Sequence, residues 1–208
     1  RGARAVAAFL GRLIDLLAGV EEPYILECGT GPSPLGLVLV ASLARAGLSP
    51  RFLGLDASPE AVAAARALAS RLGLEGVELV VGELGDDLFF DFPPHLLLAI
   101  HLCGAAVYTA IDLGRRLGAG TMALVPCCAP AGAWEEAGFS YGKAVNHALF
   151  RSRLDRVGFL LTCLDRLAGA GYRVETFEAY LPPWREVEIV LLAYRPGPLG
   201  KTRDVEVK

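Results

Sequence analysis

Tyr24-Ile25-Leu26-Glu27-Cys28-Gly29-Thr30-Gly31-Pro32-Ser33-Pro34-Leu35-Gly36 is the stretch on which the fold turns. An apolar run reading as a buried strand ends in two glycines, and Leu35 to Ala46 then repeats apolar residues at helical spacing until Gly47. Strand, tight turn, helix is the opening of a parallel α/β unit. The turn is not the dinucleotide pattern G-x-G-x-x-G, because Pro34 stands where the third glycine would be. Pro32 and Pro34 carry no N–H, whereas a pyrophosphate cradle needs amide donors at such positions. The loop therefore favours a nucleoside without phosphate. Taken alone it also reads as a structural turn.

The same alternation runs outward in both directions. Val6, Phe9, Leu10, Leu13, Ile14 and Leu17 mark one face of an N-terminal helix over 4–18. After the glycine loop, Phe52-Leu53-Gly54-Leu55 is a second strand, and Ser58 with Pro59 is an N-cap and first helical residue. Val77 to Val81 and Leu96 to Ile100 are the third and fourth strands, a helix covers about 105–117, and Thr121 to Val125 is the fifth strand. A long helix over 147–168 follows. Tyr172 to Ala179 and Val187 to Tyr194 are two closing strands whose short link contains Pro182-Pro183, which predicts an antiparallel pair. The expected architecture is α/β: a Rossmann-like, seven-stranded, mostly parallel sheet with helices on both faces and a C-terminal antiparallel strand pair. One domain over 1–195 is expected, with residues 1–20 as a helix packed on it and 196–208 as a tail.

Composition narrows the class. Of 208 residues, 53% are hydrophobic and 21% charged, and the mean hydropathy is +0.44, but no apolar run reaches membrane-spanning length. The formal charge of −3 is no nucleic-acid footprint. Arg151, Arg153 and Arg156 form a local basic cluster. Five cysteines, an odd number, do not look like a disulfide scaffold, and a reducing cytoplasm is the simpler setting.

Ligands of such sheets sit at the carboxyl ends of the strands. Asp56 ends the second strand, about 20 residues past the glycine loop, where an acid can accept both hydroxyls of a ribose. It is equally placed as a helix-start acid favoured by the dipole. Glu83 follows the third strand, with Asp86 and Asp87 close behind.

The order "ILECGTGPSPLG", "FLGLDASPE", "VELVVGE" resembles the class I S-adenosylmethionine (SAM)-dependent methyltransferases. The likeness runs from Tyr24 to about Tyr194. It implies SAM as cofactor and places Glu27, Gly29, Thr30, Gly31, Asp56, Ala57, Glu83 and His101 around it. The fourth strand ends in Ile100-His101-Leu102-Cys103-Gly104-Ala105-Ala106 and the fifth in Val125-Pro126-Cys127-Cys128. The Asn/Asp-Pro-Pro-aromatic motif of base-amine methyltransferases is absent. "HLCGAA" with the later "PCC" is similar instead to the tRNA acceptor-stem 2′-O-methyltransferases and their relatives, which implies an RNA partner and a tRNA ribose 2′-hydroxyl as acceptor. The chain departs from that branch in having Val107-Tyr108-Thr109 where Thr-Asp often follows, and Ala129-Pro130 where a His often follows the paired cysteines.

His101 is a candidate general base, since an imidazole titrates near pH 6.5, or else a His bonded to backbone. Cys103, Cys127 and Cys128 have three readings. They pack as small hydrophobes, they bind a metal with His101 or His147, or one attacks a pyrimidine as in the RNA 5-methylcytosine methyltransferases. The adjacent Cys127-Cys128 is not the C-x₂-C spacing of structural zinc sites, so no metal is expected. The stretch from about Ala129 to Asn146 reads as a long loop with Trp134, Phe139 and Tyr141, either a lid packed on the body or a platform for a base. Tyr141 and Lys143 are the substrate-binding candidates. A 5-methylpyrimidine, small-molecule or protein methyltransferase, or a non-catalytic SAM-binding module, are the alternatives.

Overall fold

β1 (Tyr24–Cys28) is the strand from which the sheet grows both ways in the computed structural model, which describes residues 2–31, 35–85, 93–140, 148–179 and 188–196. It pairs in parallel with β2 (Arg51–Asp56) on one side and β4 (Leu96–Ile100) on the other. β3 (Val77–Val81) extends the sheet beyond β2, and β5 (Thr121–Val125) beyond β4. β7 (Glu188–Tyr194) then runs antiparallel to β5, and β6 (Arg173–Ala179) antiparallel to β7. The order is β3-β2-β1-β4-β5-β7-β6 in a seven-stranded sheet. The expected closing pair is thus present, with β7 inserted between β5 and β6.

The central strands β1, β4 and β5 are buried almost end to end because helices cover both faces. α1 (Gly2–Leu17), α2 (Leu35–Arg45) and α3 (Pro59–Arg71) lie on one side, where Phe9, Leu13, Leu37, Val40 and Val62 meet Ile25, Leu96, Leu98 and Ile100. On the other side α4 (Ala106–Leu117) and α6 (Ala148–Gly169) bring Val107, Ile111, Phe159 and Cys163 against Leu26, Cys28, Leu97 and Ala99. Alternate residues of β1 and β4 thus feed opposite cores, as a period of two requires. The N-terminal helix docks through Phe9 against Phe177 of β6, with Arg12 paired to Glu175. Ser58 caps α3 as expected, accepting a hydrogen bond from Ala61 N–H at 3.1 Å. Among the described residues no helix is long and apolar enough to cross a membrane.

One element was not expected. Within the stretch read as loop, Ala133–Glu136 forms a short helix, α5, too brief for periodicity to reveal. Its seat on α6 is a close backbone approach. A Cβ at Gly158 would lie 2.5 Å from the Ala133 carbonyl oxygen and 2.6 Å from Trp134 Cα. Asp155, one turn earlier, accepts Trp134 N–H at 3.1 Å. Gly158→Ala is therefore expected to lower stability by about 1–2 kcal/mol, because overpacking against backbone outweighs the gain in helix propensity. Gly169→Ala, which meets nothing within 4 Å, is the matched control and should be neutral or slightly stabilising. Urea unfolding of the two variants checks both.

Candidate active site

The glycine loop leaves β1 through two left-handed residues, Gly29 at φ 69° and Gly31 at φ 54°, a conformation that costs a side-chain-bearing residue energy. Its amides are already engaged. Gly29 and Thr30 donate to the Leu55 carbonyl at 2.8 and 3.1 Å, and Gly31 donates to Asp56 Oδ2 at 2.8 Å. The loop is stitched to the end of β2, leaving none of these three N–H groups for a phosphate. That agrees with the expectation drawn from Pro32 and Pro34, which lie outside the described residues. A Cβ on Gly29 would meet Leu102 Cδ1 at 2.6 Å, so the loop also rests on the segment after β4.

Glu27 lies beneath this loop. It is 1% exposed, and Oε2 has no hydrogen-bond partner among the described residues. Burial, with the nearby Asp56 charge adding to it, pushes its carboxyl up to about 8. Gly36 permits the arrangement, because a Cβ there would collide with Glu27 Oε2 and Phe52. Thr30 is buried beside it, its hydroxyl 3.4 Å from the Glu27 carbonyl.

A cavity of about 480 Å³ opens at the carboxyl edge, where the strand order reverses between β1 and β4. Gly29, Asp56, Ala57 and Glu83 line it, as do Leu84, Leu102, Ala106 and Thr109. The volume suits a small organic ligand. The donor set suits SAM: apolar walls for a base, acids at Asp56 and Glu83, and loop amides turned inward rather than offered to phosphate. Asp56 accepts Ser58 N–H at Oδ1 (2.8 Å) as well as Gly31 N–H at Oδ2. Each oxygen keeps a second lone pair for a ribose hydroxyl.

The other candidates fall nearby, at the ends of β4 and β5. His101 directly follows β4 at φ 54°, the one non-glycine residue with positive φ among those described. It is half-buried, and its N–H bonds Val125 O at 3.1 Å. It is not among the described residues that line the cavity. Cys103, Cys127 and Cys128 converge with their Sγ atoms within 4.8 Å of one another. Cys103 and Cys128 are exposed and Cys127 is half-buried, whereas Cys28 and Cys163 are buried in the core. Burial raises the Cys103 and Cys127 thiols above the usual range. Tyr141, Lys143, His147, Asp86 and Asp87 lie outside the described residues. Leu102, Ala106 and Thr109 were missed as lining residues. Only their position just past His101 hinted at it, since apolar and small residues there read as core.

Two measurements follow from this geometry. Asp56→Ala should weaken SAM binding about 10- to 150-fold in calorimetry, the loss of hydrogen bonds to a charged group contributing roughly 1.5–3 kcal/mol. Unchanged affinity in a folded variant would remove Asp56 from the site. Glu27 makes stability depend on pH in a defined direction. Its folded pKa, about 8, lies above its ordinary value of 4.5, so between those pH values the folded state holds a proton that the unfolded chain has released. Stability from this group is full below pH 4.5 and is lost as pH rises toward 8. Glu27→Gln, which cannot ionise, should flatten that decline in urea titrations at a series of pH values.

Comparisons with known proteins identify the domain that carries this site. The family model described as "Methyltransferase domain" matches residues 3–131, which carry the glycine loop, Asp56, Glu83, His101 and all three clustered cysteines. Among solved structures, the chain is similar to a precorrin-6y methyltransferase from Geobacter metallireducens GS-15, with 13% identity, 89% of this chain and 87% of that chain covered, and a TM-score of 0.55. It is also similar to an rRNA methylase from Streptococcus thermophilus, with 16% identity, 89% and 96% covered, and a TM-score of 0.55. No curated protein matches the chain. With more than half its length matched, and with a loop and cavity that suit the cofactor, the chain belongs to the methyltransferase-domain family and is a SAM-dependent methyltransferase.

Proposed function

We propose that the chain methylates RNA, with a ribose 2′-hydroxyl of tRNA as the acceptor. The observation that carries this reading is the meeting of His101-Leu102-Cys103-Gly104 and Pro126-Cys127-Cys128 at two adjacent strand ends, next to the cavity that Leu102 lines. SAM supplies a methyl group already activated on a sulfonium. The chain's own work is alignment and proton removal. Asp56 and Glu83 hold the nucleoside end, and His101 takes the proton from the acceptor hydroxyl. Trp134 and Phe139 stack on each other at 4.4 Å, and Phe139, 45% exposed, offers a surface on which a base can stack. Arg151, Arg153 and Arg156 stand in the first turns of α6, beside the Asp155 link to α5, where they can meet phosphate. The overall charge of −3 works against RNA affinity, so a modest, strongly salt-dependent encounter is expected. The rival reading, attack by a cysteine on a pyrimidine, needs a thiolate, and burial, which raises the Cys103 and Cys127 thiols, counts against those two residues as the nucleophile.

A methylated 2′-hydroxyl cannot attack the neighbouring phosphate, so its linkage resists alkali. Unmodified tRNA incubated with the protein and methyl-labelled SAM should yield label in alkali-resistant dinucleotides. Label in a 5-methylpyrimidine would replace the proposal with the cysteine mechanism. Absence of label from tRNA, rRNA and total RNA would overturn an RNA acceptor.

A further inference from the structure

Three thiols from two separate loops meet where β4 and β5 end. Cys103 Sγ lies 3.2 Å from Cys127 Sγ, and Cys127 Sγ lies 3.5 Å from Cys128 Sγ. The loops are held in register by backbone. His101 N–H reaches Val125 O at 3.1 Å, and Gly104 N–H reaches Cys128 O at 2.9 Å, one bond on either side of the cluster. Left-handed turns at His101 and Gly104 bracket Cys103 and swing it out of line with the strand.

We propose that Cys103, Cys127 and Cys128 form a metal site that takes one soft, thiophilic cation of the zinc type on three thiolates. The donor chemistry selects such an ion, because thiolates favour zinc-like and cuprous ions over magnesium or calcium. The geometry is close to what is needed. Tetrahedral Zn–S bonds of about 2.3 Å place sulfurs about 3.8 Å apart, so the Cys103–Cys127 and Cys127–Cys128 pairs need to open by no more than roughly half an ångström. Exposure of Cys103 and Cys128 gives the ion a way in and leaves a fourth position for water or another ligand. On binding, three S–H bonds break, three S–metal bonds form and three protons pass to solvent, with no change in oxidation state. A divalent ion with three thiolates carries a net charge of −1. A bound metal ion deprotonates the thiols that ligate it. Sequence spacing counted against a metal here, because the third donor comes from 24 residues away rather than from a C-x₂-C turn.

The test is a Co²⁺ titration of the full chain, kept reduced with a phosphine and stripped of metal beforehand. One equivalent should bind with a near-ultraviolet thiolate-to-cobalt charge-transfer band, and Zn²⁺ should bleach it. Cys103→Ser, Cys127→Ser and Cys128→Ser should each weaken binding at least about tenfold, whereas Cys163→Ala, in the core, should bind as the wild type does. Proton release on the unaltered protein gives a reading that does not depend on any variant folding: about three protons per ion at a pH where the thiols are neutral. A folded wild type with no charge-transfer band, a band that survives all three serine changes, or release of fewer than two protons per ion would overturn the proposal.

Discussion

One carboxylate holds the active edge together. Asp56 takes the Gly31 amide on one oxygen and the Ser58 amide on the other, so the turn after β1 and the start of α3 are fastened to the same group. The Leu55 carbonyl completes the seam by accepting from Gly29 and Thr30. Because those bonds fix the loop before any ligand arrives, the cavity is preformed rather than assembled on binding. They also decide ligand class by subtraction. A loop that has used its amides on its own strand end has little left for a pyrophosphate, whereas a nucleoside needs from it only a shape and an acid.

The buried Glu27 is the second constraint, and it works against stability at the pH where the protein would function. Its Oε2 has no hydrogen-bond partner among the described residues and burial raises its pKa, under a glycine whose missing Cβ leaves room for the carboxyl. Groups displaced this far from their usual ionisation cluster at functional sites. Asp56 and Glu83, both on the cavity wall, give its rim an acidic character that suits a cationic cofactor.

Much of this was legible from residues alone, for identifiable reasons. Strands such as Leu96–Ile100 and helices such as Pro59–Arg71 announce themselves through unbroken apolar runs, a Ser-Pro start and glycine stops. The glycine loop and Asp56 were readable because backbone chemistry dictates their residue types. What escaped depends on contacts between distant segments. α5 is four residues long and is secured by Gly158 and Asp155 from the next helix. The cavity wall at Leu102, Ala106 and Thr109 looks like core until the sheet order sets it beside Gly29. The three thiols were grouped from their places after neighbouring strands, but no local spacing says how near Cys103 comes to Cys127.

The backbone at His101 has a consequence for how the sequence can drift. A left-handed residue that carries a Cβ costs about 1–2 kcal/mol, and glycine would remove that cost at a single substitution. Mutational pressure at this position therefore pushes steadily toward glycine or asparagine. On the proposal that His101 takes the acceptor proton, its chemistry is what keeps an imidazole there against that strain. Among sequences descended from this one, variants that have lost activity should be the first to relax position 101, which makes that single residue a marker for separating working enzymes from those that keep only the fold.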